Sequence, residues 1–419
     1  MGDVLCVIGL GYVGLPVALE ASRSGLRVIG YDTSEDVIVG LNRGVSHVDD
    51  IETTEVAEMF DNGFTATVDA ACIAEAEVIV ICVPTPLTDD GVPDLAGVEL
   101  ACRSVSANLQ RDALVVLEST TYPGTTDGTV REILEAGSGL SAGDGFALAY
   151  SPERIDPGNP VYGLRNTPKV VGGLTPSCTR RAVDFYSRIV DTVVPTVGLR
   201  EAEMAKLLEN TYRHVNIALM NEMAVFCHEL GVDLWAAIDA AGTKPFGYEA
   251  FYPGPGVGGH CIPIDPNYLS WVVRSLGYRF RFVELAQEIS NRMPAYVAKR
   301  VQDALNSAGK AVNGSVVLLL GVTYKANVSD QRESPARPLV GHLLEMGAEV
   351  QYFDPYADSF SGREWELKAE GDLDAAVRCA DLVVLLQGHD QILESDALNS
   401  AQRILDTRGV LSGENVERL

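Results

Sequence analysis

Two stretches in which strand-like and helical segments alternate, separated by two long helical stretches, predict an α/β protein. The expected architecture is two Rossmann-like, doubly wound parallel-sheet domains joined by a central helical domain. Two further observations sharpen this. A strand–glycine loop–helix–strand–acid pattern opens the chain, and a glycine-rich loop near its middle carries a single cysteine, Cys261. The expected domain boundaries are 1–197, 198–308 and 309–419 of the 419 residues, a length at which chains divide into several cores.

The elements follow in order. Val4 to Ile8 reads as a strand, Leu15 to Ser22 as a helix and Arg27 to Tyr31 as a second strand. Apolar runs at Val78 to Val83, Ala113 to Leu117, Ala147 to Ser151 and Lys169 to Val171 continue the strands to about residue 195, so a parallel sheet with helices on both faces is expected. From Leu199 to Leu230 the apolar residues take helical spacing, and a second long helix is expected from Phe282 to Leu305, with an irregularity at Pro294. After Gly314 the alternation restarts, with strands expected at Ser315 to Leu320, Glu349 to Phe353, Asp381 to Leu386 and Arg403 to Leu405. This last unit has no GxGxxG, so it is expected to bind something other than a second dinucleotide.

The first loop reads Gly9-Leu10-Gly11-Tyr12-Val13-Gly14, and the second strand ends at Asp32. In this pattern Gly9 makes a tight turn, Gly11 lets a pyrophosphate approach the backbone, and Gly14 lets helix and strand pack closely. The pyrophosphate sits on the helix N-terminus. Asp32 would accept hydrogen bonds from the adenosine ribose and repel a 2′-phosphate, so NAD is expected over NADP. Strand ends also place Pro84, Thr85 and the Ser119–Gly124 loop, with Thr121, in the ligand crevice.

Composition narrows the partners. The net charge is -26, which argues against nucleic acid or an anionic membrane. Of the 32 basic residues 7 are Lys, and the acidic, lysine-poor set fits either a high-salt cytoplasm or genomic base composition. No run of apolar residues reaches transmembrane length. The first strand starts too early for a signal peptide, so a cytoplasmic protein is expected. The eight cysteines contain no CxxC pair, and Cys6 and Cys82 lie in apolar runs as packed thiols. No metal-ligand pattern is read.

Cys261 differs from the packed thiols. It follows Gly254, Gly256, Gly258 and Gly259 and precedes Asp265. A helix starting near Pro263 would favour its thiolate through the N-terminal dipole. Upstream, Lys206 and Asn210 are four apart and share one helix face, where they could donate to a developing oxyanion. The ordinary reading of such a pair is a solvated face.

Several motifs in one order, covering nearly the whole chain, resemble the UDP-glucose/GDP-mannose dehydrogenase family. They are GLGYVGLP (from Gly9), VPTP (from Val83), STTYPG (from Ser119), SPER (from Ser151), KLLEN (from Lys206), GGHCIPID (from Gly258) and YKANVSDQRESP (from Tyr324). The resemblance implies an NAD-binding first domain, a helical domain that forms a homodimer, and a UDP-sugar-binding third domain. It implies a four-electron oxidation of a sugar C6 alcohol with two NAD+. Cys261 would trap the aldehyde as a thiohemiacetal, which becomes a thioester that water hydrolyses. Lys206 and Asn210 would stabilise the oxyanion, and Asp265, Thr121 and Glu153 would orient or activate water. The implied cofactor contacts are Gly9, Gly11, Tyr12, Val13, Gly14, Asp32, Pro84, Thr85, Thr121 and Arg332. The implied substrate contacts are Glu153, Arg154, Lys206, Asn210, Phe251, Tyr252, Gly258 and Lys325.

His260 stands where family members acting on UDP-glucose often carry serine, and loop packing is its expected role. The segment from Lys244 to Asp265 looks most like the subgroup acting on UDP-N-acetylglucosamine. The alternatives are UDP-N-acetylmannosamine and UDP-glucose. A two-electron β-hydroxyacid dehydrogenase needs neither Cys261 nor the chain after Gly314. A catalytically inactive NAD-binding regulator is opposed by the intact Cys261, Lys206, Asn210 and Asp265.

Overall fold

The computed structural model describes residues 4–49, 51–88, 91–156, 158, 159, 161–259 and 261–419. Contacts divide the chain into two compact units. One holds the residues up to Glu209 together with Asn267–Gly277, the other Asn210–Pro266 with Tyr278–Leu419.

The first unit is built on eight strands: β1 (Val4–Ile8), β2 (Arg27–Tyr31), β3 (Thr65–Thr67), β4 (Val78–Ile81), β5 (Leu114–Leu117), β6 (Ala147–Tyr150), β7 (Lys169–Gly173) and β8 (Val193–Pro195), in the order β3-β2-β1-β4-β5-β6-β7-β8. Strands β4, β5 and β6 are buried at every position, which is why they read as unbroken apolar runs rather than alternating ones. The core thiols Cys6 and Cys82 pack here as expected.

The sheet is parallel except at one seam. β6 and β7 pair antiparallel, with Ala149 opposite Gly173. A parallel return needs a crossover, usually a helix. The described residues between β6 and β7 form no helix, in keeping with an antiparallel return. β8 then pairs parallel with β7. β3 and β8 are three residues each, too short to stand out as apolar runs.

Between β1 and β4 the strand order reverses direction, and ligands bind at such points beyond the strand C-termini. The loops there are Gly9–Gly14 and the segment after Ile81.

The helix Leu199–Leu230 has the predicted span; its residues to Glu209 belong to the first unit and those from Asn210 to the second. In the second unit the helix Arg281–Ser307 carries Pro294 inside it and buries Met293, Val297, Val301 and Leu305. These pack with Val317, Leu319, Leu339 and Val340 in one core. Its sheet comprises β9 (Val316–Leu320), β10 (Glu349–Phe353), β13 (Leu382–Leu385), β14 (Ile404–Asp406) and β15 (Val416–Arg418), all parallel, in the order β10-β9-β13-β14-β15. A hairpin of β11 (Ser359–Ser361) and β12 (Glu366–Lys368) stands apart from it. The reversal lies between β9 and β13, so the segments 321–330 and 386–389 flank the second unit's own ligand position. Among the described residues no helix is long and apolar enough to cross a membrane.

Candidate active site

In the first unit the glycine loop is shaped by close approaches. Gly9 takes φ +86°, and a Cβ there would meet the Cys82 carbonyl at 2.9 Å. A Cβ on Gly14 would overlap the Gly9 carbonyl oxygen. Gly11 has no heavy atom within 4 Å of its Cβ position, so the backbone is open over the start of the helix Gly14–Arg23. Tyr12 and Val13 are half-buried against the core. Asp32 is half-buried at the end of β2 and accepts the Leu10 N–H at 2.8 Å and the Ser34 N–H at 2.9 Å. These bonds hold its carboxylate beside the glycine loop. Pro84 is exposed and Thr85 buried, with the Thr85 carbonyl accepting from the Tyr268 hydroxyl at 2.5 Å.

Glu203 organises the Thr121 loop. Its carboxylate accepts the N–H groups of Gly124 (2.8 Å) and Thr126 (2.9 Å) and the Thr126 hydroxyl (2.6 Å). The Thr121 hydroxyl donates to it at 3.5 Å, and Thr121 is fully buried. Burial raises the Glu203 pKa, the donated bonds oppose the rise, and it stands at about 7.

Glu153 lies in a second buried group. Its Oε1 accepts the N–H groups of Arg154 and Ile155, and its Oε2 faces Lys169 Nζ at 3.5 Å. Lys206 Nζ donates to the Glu153 main-chain carbonyl at 2.5 Å and is 5% exposed, so it does not lie on a solvated face. Arg154 pairs with Glu209 at 2.7 Å and donates to the Pro168 carbonyl.

In the second unit Asn210 is also buried, and its Nδ2 donates to Asp265 Oδ2 at 2.6 Å. The following helix begins at Asp265 rather than Pro263. Residues 261–264 form the turn into it, and the Cys261 carbonyl accepts the N–H groups of Ile264 and Asp265. Cys261 therefore sits at the mouth of that helix, exposed, while Asp265 is 1% exposed. Gly258 and Gly259 lie against Tyr324; a Cβ on Gly259 would meet its ring at 2.7 Å. The Gly259 N–H donates to the Arg332 carbonyl at 3.0 Å. Arg332 itself makes a two-pronged pair with Asp330. Phe251 packs edge-on against Tyr212, and the exposed Tyr252 donates to Asp239 at 2.7 Å. Lys325 is half-exposed on the loop after β9. His260 lies outside the described residues.

Residues 3–190, 200–292 and 318–413 match, in order, the NAD binding, central and UDP binding domains of the UDP-glucose/GDP-mannose dehydrogenase family. The chain belongs to this family. It is similar to the UDP-N-acetyl-D-mannosamine dehydrogenase of Pyrococcus horikoshii, at 34% identity over 98% of this chain and 95% of that one. It is 35% identical to the UDP-N-acetyl-D-glucosamine 6-dehydrogenase of Pseudomonas aeruginosa, over 85% of this chain and 83% of that one. The solved structure of a UDP-D-ManNAc dehydrogenase from Pyrococcus horikoshii superposes with a TM-score of 0.90 at 33% identity, covering 99% of this chain and 98% of that one. The protein is thus an NAD-dependent UDP-sugar dehydrogenase, and its glycine loop fits that cofactor: Gly11 leaves the space a pyrophosphate needs, and Asp32 carries the carboxylate for a ribose.

Sequence reasoning missed several residues of this dehydrogenase. Glu203 gives no local sign of serving the Thr121 loop, 77 to 82 positions away. Nor do Glu118 and Lys169, an ion pair at 2.7 Å with both side chains buried. Arg408 lay closer to view, because it follows a strand end in the last unit. Its guanidinium stands 3.1 Å from a Cβ position on Gly254, and Nε donates to the Leu386 carbonyl. The neighbouring Asp406 carboxylate is occupied by the N–H groups of Arg408, Gly409 and Leu411. Burial lowers the Arg408 pKa to about 10, and Asp406 opposes the fall.

Proposed function

We propose that this chain oxidises the C6 alcohol of a UDP-N-acetylhexosamine to the carboxylate, with two NAD+ per sugar and a covalent intermediate on Cys261. The observation that carries the reading is the exposed Cys261 at a helix mouth, four residues before a buried Asp265 that is bonded to Asn210. Cys379 is exposed as well, but Cys261 alone of the two lies at the end of the glycine-rich segment and four residues before a buried carboxylate.

When bound, NAD+ would supply the hydride acceptor for each of the two oxidations at C6. The Cys261 sulfur adds to the aldehyde carbon, so the intermediate cannot leave as a hydrate. Lys206 and Asn210 donate to the oxygen that becomes negative in that addition. The Asn210–Asp265 bond orients the amide, leaving one Nδ2 hydrogen for the substrate. Asp265 is assigned the orientation of the water that cleaves the thioester, and Thr121, whose hydroxyl donates toward Glu203, is assigned a water-accepting role. Glu153 has both carboxylate oxygens occupied, which suits an anchor better than a base. Arg408, whose guanidinium lies beside Gly254, suits a UDP phosphate, together with Lys325. Arg332 suits the cofactor pyrophosphate once it exchanges Asp330.

The domains divide this work as 1–197 for NAD, 198–308 for dimerisation and 309–419 for UDP. A homodimer is supported by the apolar residues that the helix Leu199–Leu230 leaves exposed, among them Leu208, Leu219, Phe226 and Leu230. A cytoplasmic, reducing compartment suits the buried thiols Cys6, Cys82 and Cys102.

UDP-N-acetylmannosamine is the first choice of sugar, from the name borne by the near-full-length relative. The Lys244–Asp265 segment favours UDP-N-acetylglucosamine as the second reading. The test is NADH formation with UDP-N-acetylmannosamine, UDP-N-acetylglucosamine, UDP-glucose and GDP-mannose. The reading expects the highest kcat/KM with one of the first two. A highest value with UDP-glucose or GDP-mannose overturns it.

A further inference from the structure

Two of the seven lysines, Lys169 and Lys206, are buried, and both reach Glu153. Lys206 Nζ holds its main-chain carbonyl, and Lys169 Nζ faces its carboxylate. Lys169 is fixed in turn by Glu118, at the end of β5, through a 2.7 Å ion pair. The Tyr186 hydroxyl donates to the other Glu118 oxygen. Glu118, Lys169 and Tyr186 are 0%, 2% and 1% exposed. Burial lowers the Lys169 pKa, but the two carboxylates outweigh it and hold the ammonium charged. Burial raises the Glu118 pKa against the pull of Lys169.

Such a group is costly to bury. A desolvated ion pair gives little net stability against an apolar replacement, so its retention asks for another reason. The geometry offers one. Glu153 Oε1 is bound by the next two backbone N–H groups and Oε2 by Lys169, so side chain and main chain of Glu153 are locked together. That main chain carries the carbonyl to which Lys206 is bonded.

We infer that Lys169, held by Glu118, is a positioning residue for Lys206, acting through Glu153. It touches neither substrate nor cofactor. It sets where the Glu153 carbonyl points and hence where the Lys206 ammonium stands. The inference rests on the reading of Lys206 as the oxyanion donor.

The test is a double-mutant cycle in the full-length protein, with NAD+ and whichever of UDP-N-acetylmannosamine and UDP-N-acetylglucosamine is turned over. The variants are Lys169→Met, Lys169→Arg, Lys206→Ala and Lys169→Met/Lys206→Ala. Lys169→Met should lower kcat by at least about tenfold, the scale of a misplaced catalytic group, with KM within about threefold. Lys169→Arg should recover most of the loss. In the Lys206→Ala background Lys169→Met should cost less than about twofold. The same loss in both backgrounds overturns the positioning role. Lys206→Ala with kcat within about threefold of wild type instead overturns the oxyanion reading, and the inference with it. If Lys169→Met does not fold, Glu118→Gln completes the same cycle, keeping the shape while removing the charge that holds Lys169.

Discussion

The side-chain amide of Asn210 is bonded to the carboxylate of Asp265 at 2.6 Å, across 55 positions of sequence, with both side chains buried. The bond joins the long helix to the start of the helix that follows Cys261. It gives both residues a fixed orientation, and neither can be changed without affecting the other. Asn210→Leu leaves the buried carboxylate without that donor and should lower unfolding free energy by about 1–3 kcal/mol. Denaturant titration measures this. An unchanged midpoint would show that the bond holds nothing in place.

Glu203 makes stability depend on pH. Its pKa in the fold is about 7, above the ordinary value of 4.5, because burial disfavours the charged form. The folded protein therefore keeps a proton that the unfolded chain has lost between these values, and stability falls as pH rises through that window. Wild type minus Glu203→Gln, a neutral variant, should lose roughly 2–3 kcal/mol of unfolding free energy between pH 5 and 8. A difference that grows with pH would mean that the donors at Gly124 and Thr126 dominate over burial.

Under the proposed function Asp32 meets the adenosine ribose and sets the cofactor choice. NAD+ should exceed NADP+ by at least about tenfold in kcat/KM, about 1.4 kcal/mol. Asp32→Asn should narrow the gap, since it removes the charge that repels a 2′-phosphate. Steady-state rates with both cofactors decide it, and equal use by the wild type would remove the role.

His389 braces the loop that carries Lys325. Its Nδ1 accepts the Asn327 N–H at 2.9 Å, so Nε2 bears the proton and stands 3.2 Å from both Asp354 Oδ2 and the Thr323 hydroxyl. Asn327 takes φ 60°, a strained position held by these bonds. His389→Phe should raise KM for the UDP-sugar by about tenfold while leaving NAD+ affinity unchanged. Loss of NAD+ affinity instead would place the effect on the whole fold.

The parts of this protein legible in its sequence are those made by neighbours in sequence. Gly9, Gly11, Gly14 and Asp32 lie within one strand–helix–strand unit, and their spacing is their geometry. The shared helix face of Lys206 and Asn210 was legible for the same reason, but their burial was not, because it depends on chain that packs on them from elsewhere. The reversal at β7 left a weaker sign, the lack of a helical pattern after Ser151. Glu118 and Lys169 left none: 51 positions separate them, and each alone reads as an ordinary charge beside an apolar run.

The central claim is that Cys261 holds the sugar through two oxidations. The most direct test is stoichiometry under limiting UDP-sugar with excess NAD+, counting NADH by absorbance and the sugar acid by mass spectrometry. The account predicts two NADH per acid, no released aldehyde, and loss of acid formation by several orders of magnitude in Cys261→Ser. One NADH per product, or Cys261→Ser within about tenfold of wild type, would contradict it.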